Sequence, residues 1–465
     1  MDVAGAIDAK GYNIEGNRVL SVPGTDNVFV GVSAGQSNTT GQLNTAIGRS
    51  ALQDNTTGSS NTATGQNALL RNTTGSSNTA TGAGTLSFNS TGSFNTAVGF
   101  AALLVNTIGF ENTAAGNSAL LNNTSGSRNT AVGTAALHNN QFGGNNTAVG
   151  WLALLSNAAH ANTAAGSEAL RSNSTGANNT AVGRAALFSN TTGSGNTATG
   201  LFALLRNTSG GSNTAVGLQA LSDNTTGLNN TASGVDALTS NTIGNSNTAF
   251  GVNALRTNTD GSANTAIGVG ADVAGASLSN ATAIGAGAIV DLSDKVRIGN
   301  SSVTTIEGQV AFTASSDKTK KENFRLVDGE EVLRKIRALE LTSWNYIGHD
   351  PQKFRHYGPM AQDFFAAFGR DGVGTIGTPT TINSGDIAGI LMIAVQALER
   401  RTMELKEKDG RIAALEKEAA ELKAKQAQID AIAARLHALE VRLDPPVQVR
   451  LETRASDETA ATNQH

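Results

Sequence analysis

One stretch of the chain combines residue types that can do covalent chemistry: Ala314-Ser315-Ser316-Asp317-Lys318-Thr319-Lys320-Lys321-Glu322-Asn323. A serine hydroxyl becomes a nucleophile when a neighbouring base takes its proton, and a lysine amine serves as that base once partial desolvation lets it shed its own. Two lysines compete for the role opposite Ser316. Lys320 at i+4 suits a shared helical face, and Lys321 lies at i+5. Spacing alone also fits a bland arrangement, a Ser-Asp helix cap followed by a solvated basic face. Other chemistries find less support. The chain has no Cys, which excludes disulfides and Cys-ligated zinc or iron-sulfur centres. His349 and His356 stand without a suitably spaced carboxylate cluster, so neither a metal nor a cofactor is expected. Asp54, Glu111, Glu168, Asp223, Asp236 and Asp260 are scattered singly. A glycosidase needs a carboxylate pair, and a calcium loop needs carboxylates in register.

The 465 residues carry 33 basic and 37 acidic side chains, a formal net charge of -4. That balance gives no case for bulk electrostatic capture of nucleic acid. No apolar run reaches the roughly eighteen residues of a membrane-spanning helix, and Met1 to Leu20 lacks the basic start and apolar stretch of a secretory signal. Charge is uneven along the chain. Residues 1 to 300 hold 24 charged side chains, and the last 165 hold the other 46. The first part is an Asn/Thr/Ala/Gly tract whose order lies in its period.

The pattern recurs at every seventeenth position. The unit reads Asn-Thr-Ala-x-Gly-x-x-Ala-Leu and then a polar turn, with its Asn at Asn44, Asn61, Asn78, Asn95, Asn112, Asn129 and Asn146, and again from Asn162 to Asn264. The step from Asn146 to Asn162 is one position shorter, where the turn is rewritten as Asn157-Ala158-Ala159-His160. An earlier copy starts at Asn27 and a decayed one ends at Thr282-Ala283-Ile284-Gly285. Gly, Asn and Thr recur too densely for helix interiors, while Gly and Asn supply the tight conformations of a chain that reverses every few residues. Stacked β-coils follow, with Asn and Thr in hydrogen-bonded columns. Only three to five apolar side chains per unit, most of them Ala, face a core. A single chain is therefore expected to bury little hydrophobic surface, and three chains around one axis to bury more. The Thr column (Thr45, Thr62, Thr79, Thr96 and onward) also suggests a second use, as a surface for an ordered lattice such as ice or for a glycan. The Asn-x-Thr triplets follow from the repeat and are not read as glycosylation sites.

The last copy, Asn280-Ala281-Thr282-Ala283-Ile284-Gly285-Ala286-Gly287-Ala288, resembles the head repeats of trimeric bacterial adhesins. That resemblance implies a left-handed β-roll formed as a trimer. Those repeats are usually shorter than the unit found here, and the anchor barrel of such adhesins has no counterpart in this sequence.

From Ser316 to about Leu398 the chain resembles the self-cleaving intramolecular chaperone domain at the C-terminus of phage tailspikes, tail fibres and neck appendages. The residues that carry it are Ser316, Asp317, Lys321 and Asn323 of a Ser-Asp-x-x-x-Lys-x-Asn signature, then Leu333-Arg334-Lys335-Ile336, Leu339 and Ser343-Trp344-Asn345-Tyr346. His356-Tyr357-Gly358-Pro359-Met360-Ala361-Gln362-Asp363 follows, and Ile387-Ala388-Gly389-Ile390-Leu391 closes the match. Pro359 and Asp363 depart from the usual residues of the central motif. The resemblance implies that the domain assembles a trimer and then cuts itself off, with Ser316 as nucleophile and Lys321 as base. The cleavage site is then Ser315-Ser316-Asp317, favouring the Ser315 to Ser316 bond, and Asn323, Gly358 and Gln362 support the motif. Each chain would react once. Trp344 and Tyr346 read as core or trimer-contact aromatics.

From about Gly385 the pattern becomes helical. Leu391, Leu398, Leu405 and Ile412 are seven apart, as are Leu415, Leu422, Ile429 and Leu436, which predicts a parallel coiled coil. Ala419, Gln426 and Ala433 loosen its companion seam. Pro445-Pro446 ends the helix, and Ala455 to His465 reads as a disordered tail.

The expected architecture is mainly β. An N-terminal segment covers 1–26, a trimeric β-solenoid or β-roll of the seventeen-position repeats covers 27–288, and a β neck covers 289–315, with Lys295-Val296-Arg297-Ile298-Gly299 and Gln309-Val310-Ala311-Phe312 as its β-like stretches. A small α+β chaperone domain follows over 316–398, then a trimeric coiled coil over 399–442 and a tail over 443–465. The expected partners are two further copies of the chain and a host-surface glycan or receptor, with neither nucleic acid nor membrane insertion. The expected setting is a virion tail or a cell surface.

Overall fold

The computed structural model describes residues 11–14, 17–21, 25–303, 306, 316–347 and 350–443. The expected neck strand Gln309 to Phe312, Ser315, His349, Pro445-Pro446 and the tail lie outside them. The chain forms two compact units, divided between Gln309 and Val310.

The first unit is a β-solenoid. Each coil contributes one three-residue strand, such as Thr96–Val98 or Thr113–Ala115. Successive strands pair in parallel with equivalent residues opposite one another, Thr96 with Thr113 and Ala97 with Ala114. A 19-stranded sheet results. At its N-terminal edge the parallel order stops: Gly11–Ile14 pairs antiparallel with Asn17–Ser21, which pairs antiparallel with Val28–Val30. This hairpin covers an edge that would otherwise present unpaired backbone groups. At the other end Val296–Ile298 still stacks on Thr282–Ile284, after a step three positions shorter than the repeat, with Val296 opposite Thr282. There Arg297 occupies the register position of the buried strand Ala, and the whole strand is exposed.

Alternation within the strand sets the inside and outside of the coil. The middle Ala is buried, and its two neighbours point outward. The outward face therefore carries Thr at the first strand position and mostly Val, Ile, Thr or Ala at the third, with no charged side chain at either. Each coil also buries the Ala-Leu pair, as at Ala102-Leu103 and Ala136-Leu137, with no measurable exposure. The rest of the interior is polar. Two Asn per coil, such as Asn95 and Asn106, are equally buried. A coil closed by these five residues has its own core within one chain. The hydrocarbon part of that core is small, two Ala and one Leu per coil, in line with the few apolar side chains expected per unit, and the buried Asn fill the rest.

Reversing direction so often requires left-handed backbone. Gly48 has φ +135°, and a Cβ there would lie 2.6 Å from the carbonyl oxygen of Gly65 in the next coil. Only glycine fits that approach. The buried Leu also sits left-handed, with φ +51° at Leu103 and +53° at Leu137, a conformation that costs an ordinary residue roughly 1–2 kcal/mol. The cost is offset by hydrogen bonds to the neighbouring coil, as from the Leu137 N–H to the Ala153 carbonyl at 3.0 Å.

In the second unit, helix α1 (Gly329–Ala338), an antiparallel pair of short strands (Thr342–Trp344 with His356–Gly358), helix α2 (Ala361–Phe368) and helix α3 (Ser384–Leu443) follow in order. Val332, Phe364, Phe368 and Ala394 form its core, with Leu333, Ile336 and Ile390 packed against them. Asp328 caps α1 by accepting from the Glu330 N–H at 2.9 Å. α1 lies against α3 at Gly329, where a Cβ would meet the Ala397 methyl at 2.8 Å, and the Glu330 carboxylate pairs with Arg401 of α3. At 60 residues, α3 is about 90 Å long. Its apolar seam (Leu391, Leu398, Leu405, Ile412, Leu415, Leu422, Ile429 and Leu436) is exposed along the single chain.

Candidate active site

The segment that opens the second unit holds the candidate nucleophile and base. Asp317 is extended (φ -68°, ψ 124°) and begins a single 3-10 turn, Lys318–Lys320. The Asp317 carboxylate accepts from the Thr319 N–H at 2.9 Å. The Lys320 N–H then donates to the Asp317 carbonyl and the Lys321 N–H to the Lys318 carbonyl, each at 3.2 Å. Lys321 leaves the turn extended (φ -126°, ψ 148°).

That path folds the chain back on itself. The Lys321 Nζ donates to the Ser316 Oγ at 2.7 Å. Both residues are exposed in the single chain. Lys320 lies inside the turn and makes no hydrogen bond to Ser316, and Lys318 is drawn to the Phe324 ring, its Nζ 5.8 Å from the centroid. The Thr319 N–H and hydroxyl hold the Asp317 carboxyl below the usual carboxylate range. Chemically, Ser316 and Lys321 are a hydroxyl and a potential base already in hydrogen-bond contact.

The three supporting residues take other places. Asn323 adopts φ +58°, a left-handed position that asparagine tolerates better than most residues. It lines a cleft of about 540 Å³ together with Arg325, Lys335, Phe368, Arg370 and Asp386. Gly358 ends its strand at φ +153° with open space where a Cβ would stand, so its backbone conformation explains the glycine. Gln362 is exposed in the first turn of α2. None of the three hydrogen-bonds the Ser316–Lys321 pair.

Residues 316–372 match the family described as chaperone of endosialidase. The match to this chaperone family begins at Ser316 and takes in Lys321, Asn323, Gly358 and Gln362. It covers α1, the strand pair and α2, and stops before α3. A comparison with curated proteins finds none that matches the chain.

In the matched segment Trp344 stacks on His356 with centroids 4.7 Å apart, and Tyr346 meets the Trp344 ring edge-on at 5.1 Å. Spacing gave no sign of this cluster, because the residues come together only through the register that pairs Trp344 with His356. Among the described residues no three His, Asp or Glu side chains converge as metal ligands, and no helix is long and apolar enough to cross a membrane. Asn55, Asn72 and Asn89, which each head an Asn-x-Thr triplet, are fully buried, whereas Asn145, Asn178, Asn229 and Asn280, which head others, are exposed.

Proposed function

We propose that the protein is a trimeric fibre of a phage tail or bacterial surface whose C-terminal domain directs assembly and then removes itself by cutting at Ser316. The observation that carries this reading is the 2.7 Å contact between Lys321 Nζ and Ser316 Oγ at the start of the chaperone-like segment.

In the proposed step Lys321, having lost one proton, takes the hydroxyl proton of Ser316. The Ser316 oxygen attacks the carbonyl carbon of Ser315, the Ser315–Ser316 peptide bond breaks, and the freed Ser316 amine receives the proton. Water then hydrolyses the ester left between Ser315 and the Ser316 oxygen. One turnover per chain is the outcome, acting in cis. Because both residues are exposed in the single chain, assembly supplies the desolvation that lowers the cost of a neutral amine.

Assembly needs such a device. A slip of one coil leaves Asn, Thr, Ala and Leu in equivalent places, so solenoids meeting without guidance have many near-equivalent registers and fold slowly through long-range pairing. The exposed heptad seam of α3 supports a parallel association that fixes the register first. On this reading 316–398 act as the chaperone and 399–442 as the trimeric coil. Mass analysis of the purified chain tests the proposal: a cut at Ser316 supports it, and an intact trimer contradicts it.

A second reading is favoured by the outward Thr column, which presents a regular, uncharged face along the solenoid. In it, the solenoid binds a lattice or glycan and the C-terminal domain stays attached as a trimerisation cap. Polysaccharide pull-down and ice-recrystallisation assays on the full chain distinguish the two.

A further inference from the structure

We infer that Asp317 is a positioning residue for the Ser316–Lys321 pair, acting through the 3-10 turn that it caps. This rests on the self-processing reading above.

Five residues are an awkward separation. An extended chain places residues i and i+5 roughly 17 Å apart, beyond the reach of a lysine side chain. A regular α-helix turns i+5 by about 140° from residue i, to a different face. The contact at 2.7 Å exists because the chain does neither: it makes one 3-10 turn and then extends at Lys321.

That turn has little else to hold it. It is three residues long, none of them buried, and closes on two backbone bonds of 3.2 Å. Isolated 3-10 turns have poor hydrogen-bond geometry, and the first helical turn is the costly one to form. The Asp317 carboxylate supplies its shortest bond, to the Thr319 N–H at 2.9 Å. The downward displacement of the Asp317 carboxyl by the Thr319 N–H and hydroxyl is the same interaction seen from the acid. The Asp317 carboxylate makes no hydrogen bond to Ser316 Oγ and no ion pair with Lys321 Nζ; it sets the path between them.

The test compares full-length wild type, Asp317→Ala and Asp317→Asn, with Ser316→Ala as the uncut control. The fraction cleaved is followed by intact mass and trimer yield by native sizing. Asp317→Ala is expected to slow cleavage roughly 10- to 100-fold at unchanged trimer yield, the scale of loss from a misplaced catalytic group. Asn caps as well as Asp, so Asp317→Asn should restore most of the rate. Equal loss in both variants would show that the charge beside the scissile bond matters and the turn does not. No loss in Asp317→Ala would also overturn the inference. Should wild type itself fail to cut, the self-processing reading falls, and the positioning role is decided on the same chains by amide exchange at Thr319 and the Lys321 Nζ resonance. Both must change in Asp317→Ala and return in Asp317→Asn; identical signals in all three chains overturn it.

Discussion

The side-chain oxygen of Asn95 accepts two hydrogen bonds from Asn112, one from its backbone N–H at 3.0 Å and one from its amide nitrogen at 3.1 Å. Asn112 in turn accepts the same pair from Asn129 and donates to the Gly126 carbonyl at 2.9 Å. A second ladder runs through Asn72, Asn89 and Asn106, with contacts of 2.7 Å. The solenoid interior is thus half hydrocarbon and half amide, and each coil is tied to the next by side chains as well as by strand pairing.

Asn112→Leu removes that link and leaves the Asn129 N–H buried without its acceptor, while the Gly126 carbonyl keeps the bond from Asn123. An unpaired buried N–H costs about 1–3 kcal/mol. Because a solenoid is held by neighbour contacts, the loss is expected to be local. Hydrogen exchange should show faster opening in the coils flanking position 112 and little change in coils far along the solenoid.

Leu120→Ala opens a cavity in the hydrocarbon half, at a fully buried side chain. A cost of about 2–5 kcal/mol is expected. Thr113→Ala, on the outward end of the adjoining strand, is expected to change stability by less than about 0.5 kcal/mol. Chemical denaturation monitored by coil-resolved exchange checks the contrast, and equal effects would mean that the strand faces are assigned the wrong way round.

Burial pushes the Asp272 carboxyl above its usual range, although Thr257 and Val273 donate to it and Arg256 is near. A carboxyl raised on folding binds its proton more tightly in the folded state. Its proton-linked stabilisation is therefore present below the unfolded value and lost as pH rises through the raised folded value. Asp272→Asn removes that dependence. Exchange at the Thr257 and Val273 amides should become less sensitive to pH as it rises above the ordinary carboxylate range.

The α3 seam offers a separate handle on assembly. Replacing Leu405 and Ile412 with Asp places charge on a stripe that is exposed in the single chain and buried in a parallel coil. Sedimentation should show loss of trimer while α3 retains much of its helicity. A variant that stays trimeric would move the association elsewhere.

The repeat period and the Ala-Leu pair were legible in the sequence because identical coils repeat the same burial at the same place. The role of the Asn was half legible: its columns followed from the period, but its place inside the coil did not, since a polar residue beside Gly reads as a turn. Left-handed Leu103 has no local signature, and its conformation is imposed by the coil. The hairpin that covers the N-terminal edge is irregular, so no repeat announces it; the strand Val296–Ile298 was legible as a β-like stretch, but its stacking on Thr282–Ile284 was not, because the step to it is shorter than the repeat. At the candidate site, the identities of Ser316 and Lys321 came from a spacing and a resemblance. The turn that makes an i+5 pair meet did not, because a single 3-10 turn leaves no periodic trace. Asn323 and Gly358 also have backbone conformations that suit their residue types, which the motif alone did not show.

Intact mass spectrometry with native sizing on full-length wild type, Ser316→Ala and Lys321→Ala tests the central claim most directly. Self-processing predicts that wild type separates at Ser316 into a trimeric solenoid fragment and a C-terminal fragment, while both variants assemble and stay whole. A wild-type chain that remains uncut and trimeric would contradict it and leave the C-terminal domain as a permanent cap.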